Sequence, residues 1–213
     1  GYQAGFFTES HYNTFLGYQA GGNNTTGENN IAIGFRAGIG EPTDGLGVSG
    51  NNNVFIGNNA GAYTTDGSKN IMIGDSTGFF NTSGQNNVVM GDHAGFNNNM
   101  GYENVIIGTD AGYNNYGQGG DWDGNYNLFI GYKSGEYNTS GSGNVFLGYY
   151  SGWSSSTGDY QTVIGHAAGA YAEGEWNTFI GAEAGINAIT GTYNTYLGIY
   201  SGSYGEGQYN TYM

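Results

Sequence analysis

The chain has 213 residues, of which 44 are glycine, one is proline and none is cysteine, and 17 acidic against three basic residues give a formal charge of -14. Abundant glycine without proline or a triplet period excludes a collagen-like helix, and 16% aromatic residues exclude a flexible linker. Arg36, Lys69 and Lys133 are too few to neutralise nucleic-acid phosphates or an anionic bilayer, no apolar run nears the roughly 20 residues that span a membrane, and cystine bridges and cysteine zinc sites are ruled out.

The chain opens on Gly1-Tyr2-Gln3-Ala4-Gly5, and the same pattern returns within Asn13-Thr14-Phe15-Leu16-Gly17-Tyr18-Gln19-Ala20-Gly21. The leading glycine of that pattern recurs at Gly34, Gly57, Gly74, Gly91, Gly108, Gly131, Gly148, Gly165, Gly181 and Gly198. Most steps are 17 residues, two are 23 (57 minus 34, 131 minus 108) and a few are 16. Each repeat holds a box of constant length: Gly-x-x-Asn, three apolar or Thr positions, then Gly-x-x-(Ala/Ser)-Gly, as in Gly27 to Gly38 and Gly141 to Gly152. Length varies only between boxes, where Ile39 to Ser49 and Tyr113 to Asp123 each carry six extra residues. A unit this short cannot hold a pair of helices, and its glycine density opposes any helix. The triplets, such as Ile31-Ala32-Ile33 and Val105-Ile106-Ile107, have strand composition between glycine turns. These features predict an all-β fold, a parallel β-solenoid or β-roll of about twelve coils. Residues 1–213 form one repeat array with insertion loops at 39–49 and 113–123. Twelve coils stacked at about 4.8 Å would make a rod of roughly 58 Å.

The columns of the alignment then acquire roles. Asn13, Asn30, Asn53, Asn70, Asn87, Asn104, Asn127, Asn144, Asn177, Asn194 and Asn210 are expected to stack as a ladder, each amide bonding to those above and below. Only Gln161 interrupts them, with an amide able to make the same kind of bond. Ala20, Ala37, Ala60, Ala94, Ala111, Ser134, Ser151, Ala168, Ala184 and Ser201, with Thr77, mark a tight corner, and the adjacent glycines are expected to supply positive φ. Strand side chains alternate between faces, and both faces of the triplet are apolar. Whichever face points inward, the other presents a long apolar stripe that needs cover, by another chain or by arcs of the same one. The middle column, Phe15, Phe55, Met72, Val89, Ile106, Phe129, Phe146, Val163, Phe179 and Tyr196, is assigned as that self-association stripe.

Other motifs are sparse. Asn23, Asn24, Asn81 and Asn138 head Asn-x-Ser/Thr acceptors in the variable arc, where exposure would allow glycosylation. Gly45-Leu46-Gly47-Val48-Ser49-Gly50 matches a dinucleotide pattern, but no helix follows it and chance accounts for it in so glycine-rich a chain. Asp75 and Asp92 share a column and Asp110 lies one position over; stacked carboxylates about 5 Å apart invite calcium. Asp121 and Asp123, beside Trp122, are a weaker candidate of the same kind. His11, His93 and His166 lie in distant coils, which opposes a metal cluster or a catalytic triad. Tyr63, Tyr113, Tyr116, Trp122, Trp153 and Trp176 in the arcs offer surfaces for sugars or a receptor. The Thr columns are too interrupted for an ice-binding array. The sequence closes on Asn210-Thr211-Tyr212-Met213, the first half of a box, so the polypeptide is expected to continue or units to stack end to end.

Asn30-Ile31-Ala32-Ile33-Gly34 resembles the head repeats of trimeric autotransporter adhesins. Asn13 to Gly21, with Asn24-Thr25-Thr26-Gly27, resembles the Gly-Tyr-Gln-Ala repeats of bacterial surface proteins and phage tail fibres. The resemblance implies a left-handed, secreted, often trimeric β-roll, although the adhesin-head repeat is typically shorter than 17 and no anchor or chaperone segment accompanies this one. The expectation is a non-enzymatic structural protein of an extracellular filament on a cell or virion, with copies of itself as partner and no cofactor beyond the candidate calcium. The alternative is an adhesin or tail-fibre segment binding a glycan or host receptor through its variable arcs.

Overall fold

The computed structural model describes residues 1–40, 48–117 and 123–213. Among them are twelve strands and no helix. The triplets form strands because β-branched and aromatic residues suit a pleated surface, and the flanking glycines end each strand after three residues. They are β1 (Thr14–Leu16), β2 (Ile31–Ile33), β3 (Val54–Ile56), β4 (Ile71–Ile73), β5 (Val88–Met90) and β6 (Val105–Ile107), followed by β7 (Leu128–Ile130), β8 (Val145–Leu147), β9 (Thr162–Ile164), β10 (Thr178–Ile180), β11 (Thr195–Leu197) and β12 (Thr211–Tyr212). All lie in one parallel sheet in sequence order, so the chain is a β-solenoid. The register never slips: Ile31 pairs with Val54 and Val105 with Leu128 across the two 23-residue steps, just as Thr14 pairs with Ile31. Both insertions therefore leave the stacked boxes undisturbed.

The ladder asparagines explain this register. Each Asn side chain bonds twice to the coil that follows: Asn30 Oδ1 accepts from Asn53 N at 2.8 Å, and Asn30 Nδ2 donates to Gly50 O at 2.8 Å. Asn53 repeats this with Asn70 N (2.9 Å) and Gly67 O (2.8 Å), and Asn70, Asn87, Asn104, Asn127 and Asn144 continue it. The column is thus a ladder between amide and backbone, whereas amide-to-amide bonding was expected; among the described ladder residues only Asn87 and Asn210 also donate to the amide before them. An asparagine side chain is short enough to stand in for one residue of backbone, so both of its bonds tie the turn to the next coil.

The turns stack as regularly as the strands. Gly38 N donates to Ala60 O and Gly61 N to Thr77 O, both at 2.9 Å. The glycine after each strand has φ between +118° and +143°, a region closed to side chains, and a Cβ on Gly34 would overlap the Gly57 carbonyl of the next coil. The glycines after the Ala/Ser corner supply positive φ as expected, at +51° to +62°, but they are not alone in doing so. The residues before each Ala/Ser corner and before each ladder position also lie at +50° to +63°, among them Arg36, Lys69, Tyr160 and Trp176, except Gly143 at +68°. Left-handed geometry costs a non-glycine residue about 1–2 kcal/mol, so the stacked bonds hold the turns against local preference.

The middle column of the strands turns inward, and this corrects its assignment as the self-association stripe. Phe55, Met72, Val89, Ile106, Phe129, Phe146, Val163, Phe179 and Tyr196 are buried, and Phe15 packs against them from the first coil. The cause is strand length. Of three residues only the central one faces the interior, and the opposing wall is made of Ala and Gly small enough to meet a ring. The aromatic members stack along the axis, Phe129 on Phe146 and Phe179 on Tyr196, each pair with centroids 5.0 Å apart.

A second inner column lies six residues before the ladder: Asn24, Thr64, Asn81, Asn98, Asn138, Ser155 and Ala188, with Ala172 five before Asn177 in a coil one residue shorter and Asn115 displaced by the insertion. Here the amides do bond to one another. Asn98 Nδ2 donates to Asn81 Oδ1 (3.1 Å), Asn115 to Asn98 (2.6 Å) and Asn138 to Asn115 (2.8 Å). Where Ser155 follows, Asn138 Oδ1 is left without a partner. In the same coil Gln161 replaces the ladder Asn. Its Nε2 reaches into the space left by the smaller residues, meeting Ser155 Oγ (2.7 Å) and Ala172 O (3.3 Å), while its Oε1 is unpaired. At Tyr196, the tyrosine of the inner column, the facing position is Gly205, where an added Cβ would overlap the hydroxyl. Each enlargement is matched by a reduction within its own coil.

Two outcomes follow from this matching. Ser155→Asn with Gln161→Asn should extend both ladders and raise the unfolding free energy in urea by about 2 kcal/mol, since each buried unpaired polar atom costs about 1–3 kcal/mol; Gln161→Asn alone should give less than half of that. Gly205→Ala should cost about 1–3 kcal/mol through overpacking and should cost much less beside Tyr196→Phe. Additive effects in either pair would contradict this account.

Candidate functional surface

With the middle column inside, the first and third strand positions form the outer face of the sheet. The third column is apolar throughout: Leu16, Ile33, Ile56, Ile73, Met90, Ile107, Ile130, Leu147, Ile164, Ile180 and Leu197. The first column reads Thr14, then aliphatic residues from Ile31 to Val145, then Thr162, Thr178, Thr195 and Thr211. These side chains are half-buried or exposed, Leu16 reaching 60%. Eleven intervals of about 4.8 Å and three residues of about 3.3 Å give an outer face of about 53 by 10 Å, close to 500 Å² with its five Thr positions included.

Aromatic rows run beside this face. In the row two residues after the third column, Tyr2, Tyr18 and Phe35 stack with centroids 5.6 and 5.2 Å apart, and Tyr132, Tyr149 and His166 at 5.2 and 5.3 Å. In the row two residues before the first column, Tyr160, Trp176, Tyr193 and Tyr209 stack at 4.3, 6.3 and 5.0 Å. Rings stacked along the axis cover each other's faces and present edges outward, so within a row Trp176 has no open face for a sugar. Tyr63 likewise stacks on Phe80, and Tyr113 on Phe96. The Trp153 indole N–H donates to Glu136 Oε2. Tyr116 is exposed, and Trp122 lies outside the described residues.

The three aspartates do not converge. Asp75 accepts from Asn58 Nδ2 (3.2 Å) and Ser76 Oγ (3.0 Å), Asp92 meets His93 Nδ1 at 3.0 Å, and Asp110 faces Lys133 Nζ at 3.9 Å. Among the described residues no three acidic or histidine side chains gather around one point. Asp121 and the first three residues of the Gly45–Gly50 motif lie outside the described residues.

The acceptor asparagines are also placed differently from the expectation. Asn24, Asn81 and Asn138 are buried members of the second ladder, with their amides bonded to Gly27 O, Gly84 O and Gly141 O at 2.8 to 3.0 Å; only Asn23 is partly exposed. A buried, bonded amide cannot carry a glycan in the folded coil. The constant offset of six from the first ladder was the sequence signal for this burial.

Lys133 organises the main ionic cluster. Its ammonium donates to Glu136 Oε1 at 2.9 Å, faces Asp110 at 3.9 Å and lies 5.7 Å from the Tyr132 ring centroid. Glu136 is only 7% exposed and also holds the Trp153 indole. The Lys133–Glu136 hydrogen bond raises the lysine pKa above its ordinary value, and the charge of Glu136 adds to it against desolvation. Comparison of the chain with protein-family models, with curated proteins and with solved structures returned no match. The surface must therefore be read from its own geometry.

Because the folded-state pKa of Lys133 is raised, its contribution is complete below the unfolded value of about 10.4 and is lost as pH rises through the folded value. Lys133→Met should destabilise the fold by about 1–3 kcal/mol at pH 7 by leaving Glu136 without its charge partner. Urea unfolding from pH 7 to 11.5 should show that difference constant to about pH 10 and shrinking above it.

Proposed function

We propose that this chain is a non-catalytic structural protein, the shaft of an extracellular filament, which assembles by packing the outer sheet face of one copy against another. The observation that carries this reading is the in-register outer face, whose third column is apolar along eleven strands and whose first column is aliphatic from β2 to β8. At about 500 Å² it stands at the upper end of what a monomer leaves exposed, and the aromatic rows widen it toward the roughly 800 Å² per partner of a stable interface. A flat face with one residue spacing repeated along the axis is self-complementary, since a second copy offers side chains at the same pitch. The inner amides support a scaffold role, because their hydrogen bonds are directed from coil to coil. The resemblance of the repeats to adhesin heads and tail-fibre shafts supports placement outside a cell or virion.

Sedimentation velocity and electron microscopy test the proposal. The wild-type chain should sediment above the 22.4 kDa of one copy and form rods of uniform width. Ile73→Lys with Ile107→Lys, both on the outer face, should shift the population to single copies by at least tenfold in dissociation constant while far-UV circular dichroism stays unchanged. A wild-type chain that remains monomeric at millimolar concentration would end this reading.

A further inference from the structure

We infer that a pocket beside the first insertion binds an acidic sugar unit, with Arg36 pairing its carboxylate. The cavity has a volume of about 260 Å³ and is lined by Gln3, Phe6, Phe7, Gln19, Asn23 and Arg36, with Ile39 behind them. That volume lies just under the range of about 300–1,000 Å³ typical of small-molecule sites, which suits one sugar ring.

The anomaly that points to a ligand is Arg36. In a chain with 17 acidic residues and three basic ones, its guanidinium makes no ion pair among the described residues, and its enclosed Nε has no hydrogen-bond partner. A guanidinium cannot shed its charge, so an enclosed and unpaired donor is costly unless an anion occupies the site. Its planar fork fits a carboxylate through two parallel hydrogen bonds.

The remaining walls select a sugar over a simple carboxylate. Gln19 Nε2 donates to Gln3 Oε1 at 3.0 Å, which fixes the pair and leaves the Gln3 amino group as donor and the Gln19 carbonyl as acceptor toward the cavity. A donor beside an acceptor matches neighbouring hydroxyls, each of which both gives and takes a hydrogen bond. Phe6 and Phe7 are 60% and 59% exposed and meet edge to face, with centroids 4.7 Å apart at 88°. Both rings line the cavity, where an aromatic face can meet the C–H side of a sugar ring.

The test uses methyl glucuronide as probe, titrated into the folded chain and followed by the NMR signals of the Arg36 Nε–H and the Phe6 and Phe7 rings. Saturable shifts with a millimolar dissociation constant are expected, with at least tenfold weaker binding of methyl glucoside, which lacks the carboxylate, and of N-acetylglutamate, which lacks the ring. Arg36→Gln should weaken methyl glucuronide at least tenfold. Glutamine already occupies this row at Gln3 and Gln19 with φ +53°, so the variant should keep the fold, and Phe7→Ala provides a second weakening variant. Absence of saturable shifts, equal binding of methyl glucoside, or undiminished binding by both variants would overturn the inference. Binding of N-acetylglutamate as tight as that of methyl glucuronide would also overturn it, in favour of an acidic peptide ligand.

Discussion

The structure depends on one side-chain amide used twice. Each ladder asparagine accepts a backbone N–H of the next coil through Oδ1 and donates to a glycine carbonyl of that same coil through Nδ2. These two bonds fix register and separation together. The other features follow: a glycine is needed wherever the next carbonyl comes within Cβ distance, and non-glycine residues are held in left-handed turns they would not choose alone. Strands of three residues are sufficient because the turns on both sides are bonded as regularly as the strands.

A constant coil spacing makes the interior a slab of constant thickness. Close packing then requires that an enlarged residue in one inner column be answered in another column of the same coil. Gln161 with Ser155, and Tyr196 with Gly205, are such answers. At Gln161 the coupling also reaches the next coil, since its Nε2 bonds to Ala172 O there and its Oε1 does not accept from the ladder residue that follows. Insertions are tolerated at the one arc that leaves the bonds of the first ladder intact.

The period of the glycines and the composition of the triplets made the solenoid, its coil number and its insertion sites legible in the sequence. Which face of the triplet lies inside was not legible, since both are apolar; strand length and the small residues across the coil decide it, and both are properties of the folded turn. The second ladder was legible in part. Asn81 and Asn138 hold the same offset of six from Asn87 and Asn144, but their match to a glycosylation motif drew attention to a different chemistry. The mode of bonding in the first ladder could not be read, because an amide column is compatible with both amide and backbone partners. Gln161 shows the difference: its longer side chain was expected to preserve the column and instead leaves its Oε1 unpaired. Arg36 was visible only as one of three cations until the fold placed it beside two glutamine amides and an aromatic corner.

The continuous winding of the chain has a mechanical consequence. The coil-to-coil bonds run along the axis, so a pull on the two ends of the chain bears first on the bonds of a terminal junction. When a terminal junction does yield, a coil of 17 residues becomes a tether of about 3.4 Å per residue in place of one axial step of about 4.8 Å, a gain of roughly 50 Å. The rod is then stiff at low force and lengthens in discrete steps at high force, absorbing work at each one while the covalent thread stays whole.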